Sequence, residues 1–181
     1  MRKQDGFSPT QLLILVAIVL LSVAVAIPNS FRARIAANES SAASSIRTLN
    51  TAEVGFASTY PAHGYSVGET GLSALGPPDK TGCPVSGPAV GNACLIDWLL
   101  SQASSAATSK SGYFYAIGSA SDAAPFTHYT VGGVPASFDR TGVRSFCSTS
   151  DDKFQVIHFN PSWVVAPETT NTVCAGWPKL R

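Results

Sequence analysis

Over its first 60 residues the chain changes hydrophobic pattern twice. A polar, basic hexapeptide, MRKQDG, precedes Phe7, and residues 12–27 then read LLILVAIVLLSVAVAI, an apolar run interrupted only by Ser22. Apolar side chains at consecutive positions cover a helix all round, as burial in a membrane or a bundle core requires. Counted from Phe7 to Ile27, such a helix is about 31 Å long at 1.5 Å per residue, enough to cross a hydrocarbon core. Ser8 predicts the N-cap and Pro9 the first turn. Pro28 removes a backbone donor and predicts a loosened or kinked turn. Beyond it the pattern becomes amphipathic. Phe31, Ile35, Ala42, Ile46, Leu49, Ala52 and Phe56 recur at helical spacings, while Arg32, Arg34, Glu39 and Arg47 occupy other faces. Pro61 disfavours helical geometry in the residue before it, so the helix is expected to end at Thr59-Tyr60.

The pattern then breaks into short pieces. His63 to Ala93 is a Gly/Pro-rich connection, and CLIDWLL at 94–100 predicts a short helix because its apolar residues cluster too tightly for alternation. Three or four strands are expected from segments rich in aromatic and β-branched residues: 112–118 (GYFYAIG), 128–133 (HYTVGG), 143–148 (VRSFCS) and 154–159 (FQVIHF). Turn residues separate them, as in Asp139-Arg140-Thr141-Gly142 and Ser150-Asp151-Asp152. From Asn160 onward there is little regular pattern. The expected fold class is α+β: a long N-terminal helix, half membrane-type and half amphipathic, packed on a small antiparallel sheet.

At 181 residues the chain accommodates one domain plus an appended segment. The net charge of +1 and the scattered Lys and Arg residues leave no basic run of the kind that binds nucleic acid. Cys83, Cys94, Cys147 and Cys174 all lie in the second half. An even number in an exported segment reads as disulfides, with three pairings open. Cys83–Cys94 and Cys147–Cys174 are preferred because each closes a local loop. A zinc site would need ligand spacing that is missing here: there is no Cys-x-x-Cys and no histidine in register.

Candidate chemistry is sparse. Gly76-Pro77-Pro78-Asp79-Lys80-Thr81 ends like a phosphate-binding loop but lacks the glycine spacing, and its prolines remove amide donors. No serine sits in Gly-x-Ser-x-Gly. His63, His128 and His158 are isolated, the last two in expected strands, where a structural role is the commoner case. Asp139, Asp151 and Asp152 could hold calcium but lack its loop pattern, so they read as solvated turn carboxylates. Trp98, Trp163 and Trp177 read as packing residues, with Trp163 and Trp177 the better surface candidates. No catalytic residue, metal ligand or cofactor is expected.

Three readings of the N-terminus compete: a secretory signal peptide cut after Ala26, an uncleaved anchor, and a leader cut ahead of the apolar run. The order of leader, Gly6-Phe7-Ser8-Pro9-Thr10-Gln11, apolar run, Pro28 and a further long helix resembles the class III leader of type IV pilins and type II secretion pseudopilins. Arg2 and Lys3 keep that end cytoplasmic. The resemblance covers residues 1–60 well and the head loosely. It implies cleavage after Gly6, N-methylation of Phe7, and an assembly contact at Gln11. The family usually has a glutamate at that position, which neutralises a neighbour's amine. A neutral Gln11 therefore implies a minor or tip subunit.

The expected organisation is a leader at 1–6, a transmembrane or filament-core helix at 7–28, an amphipathic helix at 29–60 and a disulfide-bonded head at 61–181. The implied function is structural, a subunit of a pilus-like or secretion filament and not an enzyme. Implied partners are other pilins, a prepilin peptidase, an assembly ATPase with its platform, and the membrane. The implied location is the inner membrane as a single-pass protein with the head outside, then a surface or periplasmic filament. The alternative is a secreted or membrane-anchored binding domain of unknown ligand.

Overall fold

A computed structural model describes residues 8–68, 71–119, 124–152, 156–162 and 164–180, with the side chains of 24–28 left out. The chain divides into two units, Met1–Arg34 and Ile35–Arg181. Helix α1 spans Pro9–Thr59, ending where Pro61 was expected to stop it. Pro28, where a loosened or kinked turn was expected, lies inside the continuous span of α1.

The head is a four-stranded antiparallel meander: β1 Tyr113–Gly118, β2 Thr130–Pro135, β3 Ser145–Thr149 and β4 Ile157–Asn160. Gly132 stands opposite Cys147 and Cys147 opposite His158, so these three side positions share one face. Three short helices complete it: α2 Gly71–Leu75, α3 Trp98–Ser101 and α4 Asn171–Ala175. The expected helix at 94–100 shrinks to α3, whose N-cap Asp97 accepts from the Leu100 amide. Neither α2 nor α4 has a signature in the sequence, because five residues are too few to show a helical period.

The amphipathic stripe packs as its spacing dictates. Ala42, Ile46, Leu49, Ala52 and Phe56 are all buried and join Tyr113, Tyr115, Ile117, Val131 and Phe146 in a single core. Phe31, expected in that stripe, is instead 59% exposed. Glycine in β2 permits the approach of layers on both sheet faces. A Cβ on Gly133 would lie 2.8 Å from the Tyr115 ring and 3.5 Å from Ile46. On the other face a Cβ on Gly132 would strike the backbone of Glu168, which explains why every β2 residue is buried. The C-terminal segment thus roofs the second face. The Cys147–Cys174 disulfide ties α4 to β3 there, and Cys83–Cys94 closes the loop before α3. Both pairings are those expected from local loop closure.

Two carboxylates depart from the expected pattern. Glu39, placed on a solvent face by the helical spacing, is buried. Its Oε1 accepts from the Val143 and Arg144 amides at 3.0 and 3.1 Å, and its Oε2 pairs with Arg144 Nε at 2.9 Å. The β2–β3 connection therefore docks on α1 through its own backbone donors. Glu53 is fully buried; Oε2 accepts from the Ser66 amide at 2.8 Å and Oε1 has no partner among the described residues. Burial disfavours its charged form and pushes its pKa up to about 8, against the smaller opposing pull of the Ser66 bond.

The folded state thus holds a proton on Glu53 that the unfolded chain releases near pH 4.5. Its stabilisation is complete below that pH and is lost as pH rises toward about 8. Denaturation midpoints of the head should fall across this window, and Glu53→Gln, which stays neutral, should flatten the slope. An unchanged slope in Glu53→Gln would contradict this assignment.

Candidate assembly surface

The described part of unit 1 opens on a helix cap built from three neighbours. Ser8 precedes the first helical residue, Pro9, which needs no amide donor there. The Ser8 amide donates to Gln11 Oε1 at 3.2 Å, and the Ser8 and Thr10 hydroxyls are 2.8 Å apart. Gln11 is the third helical residue, so this is the return half of a capping box. Its amide oxygen is engaged within its own helix, a role that the Ser8-x-x-Gln11 spacing announces once Ser8 is taken as the cap.

Beyond the cap the surface is apolar on every side. The large apolar residues exposed from Leu12 to Val23 are between 46% and 71% open. Leu12, Leu13, Ile14, Leu15 and Val16 alone go more than once round the axis at 3.6 residues per turn. The one hydroxyl in the run, Ser22, donates to the Ile18 carbonyl at 2.9 Å and so presents no unsatisfied donor outward. Such a surface is suited to burial against apolar partners and offers no polar chemistry.

Among the described residues, no helix is long and apolar enough to cross a membrane. This does not fit the single-pass span expected at 7–28, of which residue 7 and the side chains of 24–28 lie outside the described set. Gly6 and Phe7, expected to flank a cleavage site, also lie outside the described residues, as does Trp163.

The remaining candidates in the head are structural. Thr81 bonds Asp79 Oδ1 through both amide and hydroxyl, and Lys80 sits 5.0 Å over the Trp98 ring. The 76–81 segment is therefore a turn. Asp151 and Asp152, read as solvated turn carboxylates, each meet a histidine. His128 Nδ1 lies 2.6 Å from Asp151, whose carboxyl that bond holds below its ordinary pKa. His128 itself precedes β2 and is not in the strand. His158 is in β4, buried, with Nδ1 donating to the Trp177 carbonyl at 2.7 Å and Nε2 2.5 Å from Asp152. The His158–Trp177 bond fastens the C-terminal segment to β4, while the two His–Asp pairs tie the turn after β3 to the approach to β2 and to β4. Among the described residues no cluster of His, Cys, Asp and Glu could hold a metal.

Comparison with protein-family models, with curated proteins and with solved structures gives no match.

Removing the Gln11 acceptor should fray the first turn of α1. Gln11→Ala should speed amide exchange there about two- to fivefold, the equivalent of a net hydrogen bond of about 0.5–1 kcal/mol. Gln11→Glu keeps the acceptor and should leave exchange unchanged. Equal rates in Gln11→Ala and the parent would show that the cap contributes nothing.

Proposed function

We propose that the chain is a subunit of a filament of the type IV pilin or type II secretion pseudopilin kind. The observation that carries this reading is the apolar surface of Leu12–Val23, open on all sides of its helix and free of outward polar groups. A helix of this kind needs apolar surroundings, which lipid supplies before assembly and neighbouring helices supply afterwards. Lipid tails are as apolar as leucine, so packing fit and not hydrophobicity alone drives the exchange. The disulfide-bonded α+β head supports an extracytoplasmic location, where such bonds persist.

In this proposal a prepilin peptidase cuts after Gly6 and methylates Phe7. The inserted segment of this reading is residues 7–28, of which residue 7 and the side chains of 24–28 lie outside the described set. The subunit waits in the inner membrane with its head outside until an assembly ATPase and its platform extract it into a filament with other pilins. Gln11 brings no carboxylate to offset a neighbour's amine, and its oxygen is engaged by Ser8. Leaving such an amine buried and unpaired costs several kcal/mol, which favours a minor or tip position over the repeating body of the filament.

Mass spectrometry of the mature protein tests the reading. It should begin at methylated Phe7, and Gly6→Val should accumulate uncut because the residue beside the scissile bond must admit the peptidase without a Cβ. A mature chain beginning at Ile27 would sink it.

A further inference from the structure

A cavity of about 510 Å³ opens in the head, bounded by α2, the end of α1 and the loop closed by Cys83–Cys94. That volume lies within the roughly 300–1,000 Å³ of small-molecule sites. Its walls are Phe56, His63 and Phe126, with Ser66, Val67 and Val90. The His63 ring stands between the two phenyl rings, its centroid 5.5 Å from each, and lies at 85° to Phe56.

This ring set is held by backbone, so it is built in advance. The Phe126 amide donates to the His63 carbonyl and the Tyr65 amide to the Phe126 carbonyl, both at 2.9 Å. Gly64, at φ +79°, lets the two segments touch, since any Cβ there would strike the Phe126 backbone. Across the opening, Ala89 and Asn92 exchange two backbone hydrogen bonds and fix the turn that carries Val90.

The polar character of the lining is specific as well. Ser66 spends its amide on Glu53 and its hydroxyl proton on the Gly71 carbonyl, which leaves its oxygen as an acceptor. His63 Nδ1 is buried and has no hydrogen-bond partner among the described residues. No Lys, Arg, Asp or Glu is among the described lining residues, so a charged guest would lose its hydration without gaining a counter-charge.

We propose that this cavity binds an uncharged aromatic small molecule with one hydrogen-bonding group, of the phenol or indole class. The partly exposed rings of His63 and Phe126, backed by the buried Phe56, match a flat aromatic guest, and the imidazole takes its single polar group. The site belongs to the head and does not rest on the filament reading. The two are separable because the test uses unassembled protein.

Full-length protein in detergent should be titrated with phenol, indole, benzoate and benzylamine, following the NMR signals of His63 and Phe126. Phenol or indole should produce saturable shifts, and the charged pair should bind at least about tenfold more weakly. Two variants fill the space from opposite walls: Val90→Trp on the exposed loop and Ala74→Leu on α2. Each should abolish the shifts, whereas uptake by micelles or by the apolar helix would survive both. The proposal is overturned if neither neutral probe saturates, if benzoate or benzylamine binds equally well, or if binding persists in both filled variants.

Discussion

The head depends on the close seating of one helical stripe against one sheet face. Ile46, Leu49 and Phe56 are fully buried there, and the fit leaves no room for a side chain at Gly133. Once that glycine lets Tyr115 and Ile46 meet over β2, the sheet's outer face is covered as well, and every residue of the strand is buried. Gly132 admits the Glu168 segment on that side, and Cys147–Cys174 keeps it there. The fold is therefore a three-layer arrangement in which two adjacent glycines set the spacing of both interfaces.

Polar groups then determine which loops lie against α1. Glu39 recruits the amides of Val143 and Arg144, and Glu53 recruits that of Ser66. In each case a glutamate oxygen on the helix substitutes for the water that a loop's backbone donors would otherwise require. The two differ in their completeness. Glu39 has both oxygens engaged and an arginine for its charge, whereas Glu53 has one orphan oxygen and stays neutral through the middle of the pH range. The second arrangement is costly in alkali, and it lies beside the cavity through the shared Ser66.

Much of this was legible in residue pattern. The stripe from Ala42 to Phe56, the stop at Pro61 and four strands within one to three residues of their observed starts all follow from period and turn chemistry. Other features were hidden for physical reasons. Helical spacing sends Glu39 outward because it cannot know that amides more than a hundred residues later will need it. Phe31 continues the stripe in sequence yet is largely exposed, since periodicity describes a face and not what covers it. Gly132-Gly133 read only as strand residues, because close approach is a property of neighbours. The candidate assembly surface was visible as an apolar run and the Gln11 cap in the Ser8-x-x-Gln11 spacing, whereas the ring cluster around His63 brings together segments about sixty residues apart.

The central claim is that the surface of Leu12–Val23 ends up against other copies of its own kind. Ile18 lies in the middle of it and is 59% exposed. Placing a photoreactive benzoylphenylalanine at that position, in cells that carry the assembly machinery, and illuminating sheared surface material tests the claim directly. A ladder of pilin-sized cross-linked products joined through this segment is the predicted result. Monomer bearing only lipid adducts, or no surface material at all with the head secreted free, would contradict it.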